Sequence, residues 1–239
     1  MNRWKKLMGL CRHPGFIPPL IRHRIAGGIE HYAMVKHLAP ATLIDAGANK
    51  GQFSLLVRKL FPKTRIIAFE PLPESADRYE RLFGDDKLTT LHRLALDVSS
   101  GERTFYVANR GDSSSLLRPA QGLQMAFGGT LSHEISVETV RLDSVIDAKD
   151  LPAPVLLKID VQGAEKQVIL SATKLLDYID HIYVEILFAD LYDGQSRFRD
   201  VFHELDAKGY RMRGVFNQVI TSEYNATYAD VLFTRDLQH

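Results

Sequence analysis

Asp45-Ala46-Gly47-Ala48-Asn49-Lys50-Gly51 is the stretch on which the fold turns, because a buried apolar run ends there and a helical pattern begins. Ala41 to Ala46 reads as a buried strand and Gln52 to Leu60 as a helix, so the glycine-bearing turn falls at the carboxyl edge of a strand. In open α/β sheets that edge is where ligands bind. Gly47 permits a tight turn and close backbone approach, and Gly51 lets the following helix lie against the strand. The spacing is G-x-x-x-G. A dinucleotide turn would carry a further glycine at position 49, where the chain has Asn49, and would aim its N–H groups at a pyrophosphate. An acidic residue beside the turn, Asp45, suits a ligand that carries an ammonium and a sulfonium and no phosphate.

Working outward, the pattern repeats. Arg65 to Phe69 reads as a strand, Glu74 to Phe83 as a helix and Leu88 to Ala95 as a third strand; later, Val155 to Ile159 and Ile182 to Ile186 read as strands on either side of a helix from Ala164 to Leu176. Short apolar strands joined by helices require parallel pairing with right-handed crossovers. Between these blocks, Arg103 to Ala108 and Ile135 to Leu142 read as extended segments. They flank a long polar loop with Ser113, Ser114, Ser115, Gly122, Gly128 and Gly129, of a kind that is either functional or mobile. Arg197 to Lys208 is an amphipathic helix closed by Gly209, and Tyr210 to Val215 and Asp230 to Phe233 complete the strands.

The chain has 239 residues, 45% hydrophobic and 25% charged, enough for one α/β domain with an appendage. The expected division is an N-terminal basic arm and helix over 1–40 and a main domain over 41–239. The net charge of +1 supplies no basic field for nucleic acid and favours a small-molecule or glycan partner. Cys11 is the only cysteine, which excludes an internal disulfide or a cysteine-based zinc site. No apolar run approaches the roughly 20 residues of a membrane span, and the expected location is cytoplasmic. Met1 to Arg24 carries Arg3, Lys5, Lys6, Arg12, Arg22 and Arg24 among Trp4, Leu7, Leu10, Phe16 and Ile17, with no acid. That segment could rest on an anionic membrane surface or a partner. The alternative is an arm packed on the domain, since Pro14, Pro18 and Pro19 break a long amphipathic helix.

Glu70 ends the second strand, 19 residues beyond Gly51. A carboxylate at that tip can accept hydrogen bonds from both hydroxyls of a ribose; its alternative, shared with Asp45, is a cap or surface role. Asp97 lies past the third strand on the same edge, as an acceptor for an adenine amino group or an ordinary turn residue before Ser99-Ser100-Gly101.

Taken together, Ile44 to Gly51, Ala68-Phe69-Glu70-Pro71, Leu94-Ala95-Leu96, Ser113-Ser114-Ser115-Leu116 and Leu157-Lys158-Ile159-Asp160-Val161-Gln162-Gly163-Ala164-Glu165 resemble the FkbM family of methyltransferases, over roughly Ile29 to Phe233. The resemblance implies a class I methyltransferase fold: α/β, doubly wound, with a mostly parallel seven-stranded sheet and an antiparallel last strand. It also implies methyl transfer from S-adenosylmethionine, commonly to a hydroxyl of a sugar or secondary metabolite. Asp45, Gly47, Asn49, Gly51, Glu70, Pro71, Leu96 and Asp97 would then contact the cofactor. Gln162 stands where many relatives are acidic, and no metal ligands are assigned.

For the chemistry, an acceptor hydroxyl must lose its proton, and a carboxylate within reach can take it. Asp160 ends the fourth core strand, Glu165 opens the next helix and Glu185 ends the fifth; these three are the catalytic candidates. Lys158 shares a strand face with Asp160 and needs a carboxylate partner, so a buried salt bridge is the competing role for Asp160, and a helix-dipole role competes for Glu165. Asp160 with Glu185 could alternatively hold Mg²⁺. His133 in the polar loop is a further candidate base, ahead of His92, His181 and His203. Two other functions compete with methyl transfer: a nucleotide-binding oxidoreductase, disfavoured by the missing glycine, and a non-catalytic module that binds a partner through the arm.

Overall fold

The computed structural model describes residues 14–236. Two short helices, α1 (Ile17–His23) and α2 (Tyr32–Leu38), precede β1 (Thr42–Ala46), whose five residues are all buried. The chain continues through α3 (Gln52–Leu60), β2 (Arg65–Phe69), α4 (Pro73–Phe83) and β3 (Thr89–His92). After a second group of elements come β7 (Val155–Ile159), α7 (Glu165–Ser171), β8 (His181–Leu187), α8 (Phe198–Asp206), β9 (Tyr210–Thr221) and β10 (Asn225–Arg235).

The main sheet runs β3-β2-β1-β7-β8-β10-β9. Every pair from β3 to β8 is parallel, while β10 pairs antiparallel with both β8 and β9. Both faces are covered, which is why the central strands read as continuous apolar runs. Ile44, Phe69 and Ile159 point into one core with Val168 and Leu205, whereas Leu43, Ile66 and Leu156 point into the other with Phe53 and Leu56. From β1 the chain winds outward to β2 and β3, then returns to β7 on the opposite side of β1. This reversal opens a crevice at the carboxyl ends of β1 and β7.

A second sheet, in the order β4-β6-β5, is built from β4 (Ala95–Leu96), β5 (Gly101–Ala108) and β6 (Leu131–Val140). The expected third strand over Leu88 to Ala95 is therefore two strands. Thr89 to His92 pair with β2, and Ala95 and Leu96 pair instead with Thr139 and Val140 of β6. The apolar pattern is the same in either sheet, so sequence alone could not assign it. The long polar loop holds a helix, α5 (Gln121–Phe127), and α6 (Leu142–Val145) follows β6. The helix expected to reach Leu176 stops at Ser171, whose hydroxyl donates back to the Val168 carbonyl at 2.7 Å and so competes with helix propagation.

The described residues before β1 belong to the same packing unit. Phe16, Ile25, Met34, Val35 and Leu38 are buried in the core that contains Phe53 and Leu56, and Gly28 N donates to the Gln52 carbonyl at 3.0 Å. The expected contact of Arg3, Lys5, Lys6, Trp4, Leu7, Leu10 and Arg12 with a membrane or partner lies outside the described residues. Among the described residues, no helix is long and apolar enough to cross a membrane.

Candidate active site

A cleft of about 620 Å³ opens over the carboxyl ends of the strands, lined from β2 across β1, β7 and β8 to β10 and β9, a size within the usual range for small-molecule sites. Its floor at β1 depends on Gly47. With φ of +77°, this residue carries the backbone so close to β7 that a Cβ would stand 1.9 Å from the Asp160 carbonyl oxygen, a separation no side chain tolerates. Gly47 N and Ala48 N donate to the Phe69 carbonyl at 3.1 and 3.0 Å, which ties the turn to the β2 tip.

At that tip sits Glu70. Its Oε2 accepts from Asn49 N and its Oε1 from Leu72 N, both at 2.8 Å, so one carboxylate is clamped between two backbone N–H groups. Burial pushes the Glu70 carboxyl up to about 7, against those two bonds. Desolvation outweighs the two donors present at this carboxyl, which borders the cleft. Pro71, Leu96 and Asn49 line the same end, with Phe69, Leu94 and Ala95.

Asp45, Gly51 and Asp97 correct the sequence expectation: none of them lines the cleft. Asp45 is fully buried beneath the turn, where Ser54 Oγ donates to its Oδ2 at 2.7 Å, supported by the Tyr79 hydroxyl at 2.9 Å to Ser54 Oγ. Its Oδ1 has no hydrogen bond and lies 3.5 Å from Lys158 Nζ. Gly51 serves packing, since a Cβ would meet the Phe83 ring at 2.8 Å. Asp97 is buried, paired with Arg103 and capped by Val98 N at 2.7 Å.

Across the switch point, Lys158 projects from β7, with Nζ donating to the Gly47 carbonyl at 3.1 Å and to Asp160 Oδ2 at 3.3 Å. Burial opposes its charge, yet Asp160 and Asp45 more than compensate, and its pKa is raised. The lysine holds β1 and β7 together through charge. Asp160 is about a third exposed, at 36%, and faces the cleft. Gln162 Nε2 donates to Asp160 Oδ1 at 2.8 Å and to Glu185 Oε1 at 2.7 Å, joining the β7 and β8 tips. Burial raises the Glu185 carboxyl well above the ordinary range, reinforced by Asp160, Asp230 and Glu165 as like charges.

Glu165 is a further correction. It is 1% exposed and accepts from Gly163 N at 2.8 Å, so it braces the turn after β7 behind the cleft wall, and burial pushes it up to about 7. The polar-loop His133 lies on β6 and has a side-chain contact with Ser132 at 3.3 Å; it does not line the cleft, nor do His92, His181 and His203. Among the described residues, no group of three His, Cys, Asp or Glu side chains is placed to hold a metal.

Sequence reasoning missed the far bank. His31, Asn217 and Asp230 line the cleft, and Tyr183 stands behind them. His31 Nδ1 is 3.0 Å from the Tyr183 hydroxyl and from Asn217 Nδ2, while Tyr183 and Asn217 donate to Asp230 Oδ2 at 3.0 and 2.9 Å. Burial pulls the His31 imidazole below its ordinary value, against the opposing influence of Asp230. The one legible signal was alternation: Tyr183 and Glu185 share a strand face. The partners from positions 31, 217 and 230 are brought in by tertiary pairing.

A family model for the methyltransferase FkbM domain matches residues 45–212. Among curated proteins, the chain is 30% identical to the 2-O-methyltransferase NoeI of Sinorhizobium fredii over 188 residues, covering 74% of this chain and 77% of that one. It is 27% identical to the hexuronic acid methyltransferase AglP of Haloferax volcanii, covering 60% and 55%. Among solved structures, methyltransferase FkbM from Methylobacillus flagellatus superposes with a TM-score of 0.50 at 14% identity, covering 80% of this chain. This chain spans 43% of that solved protein's length, so the likeness speaks to fold.

Proposed function

Because the chain belongs to the FkbM methyltransferase family, we propose that it transfers the methyl group of S-adenosylmethionine to a hydroxyl oxygen of a sugar or similar metabolite. The observation that carries the reading is the pairing, in one cleft, of a clamped carboxylate at the β2 tip with the Asp160 and Glu185 carboxylates at the β7 and β8 tips. Glu70 fits a nucleoside: an anion with fewer donors than its burial requires is completed by the two hydroxyls of a ribose. When bound, S-adenosylmethionine supplies a methyl group on a sulfonium leaving group.

This chain's residues do the rest. Gly47 and Asn49 shape the floor, and Glu70, Pro71 and Leu96 hold the nucleoside end. The acceptor lies over β8, β10 and β9, where its hydroxyl meets Asp160 or Glu185. Glu185, with its raised pKa, is the more basic of typical carboxylates and receives the acceptor proton; Asp160, oriented by Lys158 and Gln162, holds the hydroxyl in line. Two relatives, named for a 2-O-methyltransferase and a hexuronic acid methyltransferase, support hydroxyl-bearing carbohydrate as the acceptor class.

The test has two parts. Calorimetry with adenosylhomocysteine and with NAD should give saturable binding of the first; binding of NAD alone would refute the reading. Glycan and metabolite acceptors incubated with radiolabelled S-adenosylmethionine should yield an alkali-stable methyl ether. Asp160→Asn should keep the fold and lower turnover by roughly 10²-fold through a misplaced acceptor, and full activity in that variant would take Asp160 out of the acceptor's positioning.

A further inference from the structure

Gln162 stands immediately beyond β7 with φ of +58°, a left-handed conformation that only a few per cent of non-glycine residues adopt. From there its one amide has every group engaged. Nε2 carries two hydrogens and sends them to Asp160 Oδ1 at 2.8 Å and Glu185 Oε1 at 2.7 Å. Its Oε1 is 2.9 Å from the Tyr192 hydroxyl, which is also 2.9 Å from the Ser113 carbonyl. A flipped amide would set its carbonyl oxygen against two carboxylates, so the orientation is determined by Asp160 and Glu185. Tyr192 is 2% exposed, and its single hydroxyl proton is shared between the Gln162 Oε1 and the Ser113 carbonyl.

We propose that Gln162 is a positioning residue for proton removal: its tyrosine-held amide spans the gap between Asp160 and Glu185 and keeps the two carboxylates at one point of the cleft. This rests on the reading of that cleft as a methyl-transfer site. Without a bridging donor, two carboxylates on adjacent strand tips repel, and the more deeply desolvated one takes up a proton and loses its capacity as a base. Lys158 serves Asp160 at 3.3 Å from the β1 side. Glu185 is also faced by Asp230 and Glu165 as like charges, with Tyr192 and Tyr228 near it. The amide is thus the donor that reaches both members of the pair, and through Tyr192 it links them to the Ser113 segment covering the cleft.

The experiment is a pH titration of the Glu185 carboxyl by ¹³C NMR in full-length protein labelled at glutamate, assigned with Glu185→Gln. Gln162→Asn is the informative variant: asparagine is tolerated in the left-handed region, so the backbone is retained while the shorter arm no longer spans both carboxylates. The Glu185 midpoint should rise by about one pH unit or more, and Gln162→Glu, which replaces the bridging donor with a third carboxylate, should raise it further. Tyr192→Phe leaves Gln162 in place but frees its amide to rotate, and should raise the midpoint as well, which keeps the test decisive if Gln162→Asn does not fold. Midpoints unchanged in folded variants would overturn the proposal. Adenosylhomocysteine calorimetry on the same wild-type sample separates the two ideas: its failure strikes the methyl-transfer reading, while the titration judges the bridge.

Discussion

Glu70 gives the sharpest quantitative expectation. Its carboxyl is pushed from 4.5 to about 7 by burial, with only Leu72 N and Asn49 N as opposing donors. Between those two values the folded state binds a proton that the unfolded state does not, so this group's contribution to stability is present below about pH 4.5 and is lost as pH rises to 7. The loss is on the order of 3 kcal/mol. A nucleoside reverses the balance, because ribose hydroxyls donate to the ionised form. Adenosylhomocysteine should therefore bind best above pH 7 and release a proton on binding near pH 6.5. At pH 6 the free carboxyl is about nine-tenths protonated, so affinity should be about tenfold lower, or about 1.4 kcal/mol. Calorimetry between pH 5.5 and 8 in two buffers of different ionisation enthalpy measures both quantities. Glu70→Gln should lose about 1 to 3 kcal/mol of binding at pH 8 and flatten the pH dependence. Glu165 and Glu185 also have raised pKa values, and this variant isolates Glu70 from them. A dissociation constant independent of pH in the wild type, or the same pH dependence in Glu70→Gln, would refute the assignment.

Gly47→Ala should destabilise the fold by about 3 kcal/mol or more, read as a fall in Tm, because a Cβ would overlap the Asp160 carbonyl at a φ of +77°. Lys158→Met leaves the Asp45 and Asp160 carboxylates uncompensated and should cost about 3 to 5 kcal/mol in denaturant unfolding. Glu165→Ala should lower stability by about 1 to 3 kcal/mol through the unsatisfied Gly163 N–H, while adenosylhomocysteine affinity stays at the wild-type value; a selective loss of affinity would return Glu165 to the cleft.

The strands and helices from β1 to α4 and the β7 and β8 strands were legible because they are buried on both faces or on one clear stripe, so local period and burial agree. Glu70 and Asp160 could be placed because each directly follows such a strand, and Glu185 because it lies two residues before the end of β8; strand ends share one edge. Asp45 looked equivalent by the same rule, yet its side chain turns under the floor to Ser54. The sequence locates a residue on an edge and does not say which way its side chain leaves it. Ala95 changed sheets for the same kind of reason, since the residue that claims it, Thr139, is distant in the chain. His31, Asn217 and Asp230 were invisible because their meeting depends on three separate segments at once.

The place of β10 has a consequence for anyone shortening the gene. It is the last strand along the described chain, yet it is inserted between β8 and β9 rather than at the margin. A product cut back to the family-matched stretch, 45–212, would lack it, together with Asp230 and the 28–31 wall beside it. Strand β8 would then present a raw row of unpaired amides and carbonyls, the usual starting point for aggregation. The smallest expressible unit therefore has to include the strand that pairs with β8, and it is longer than the family-matched stretch.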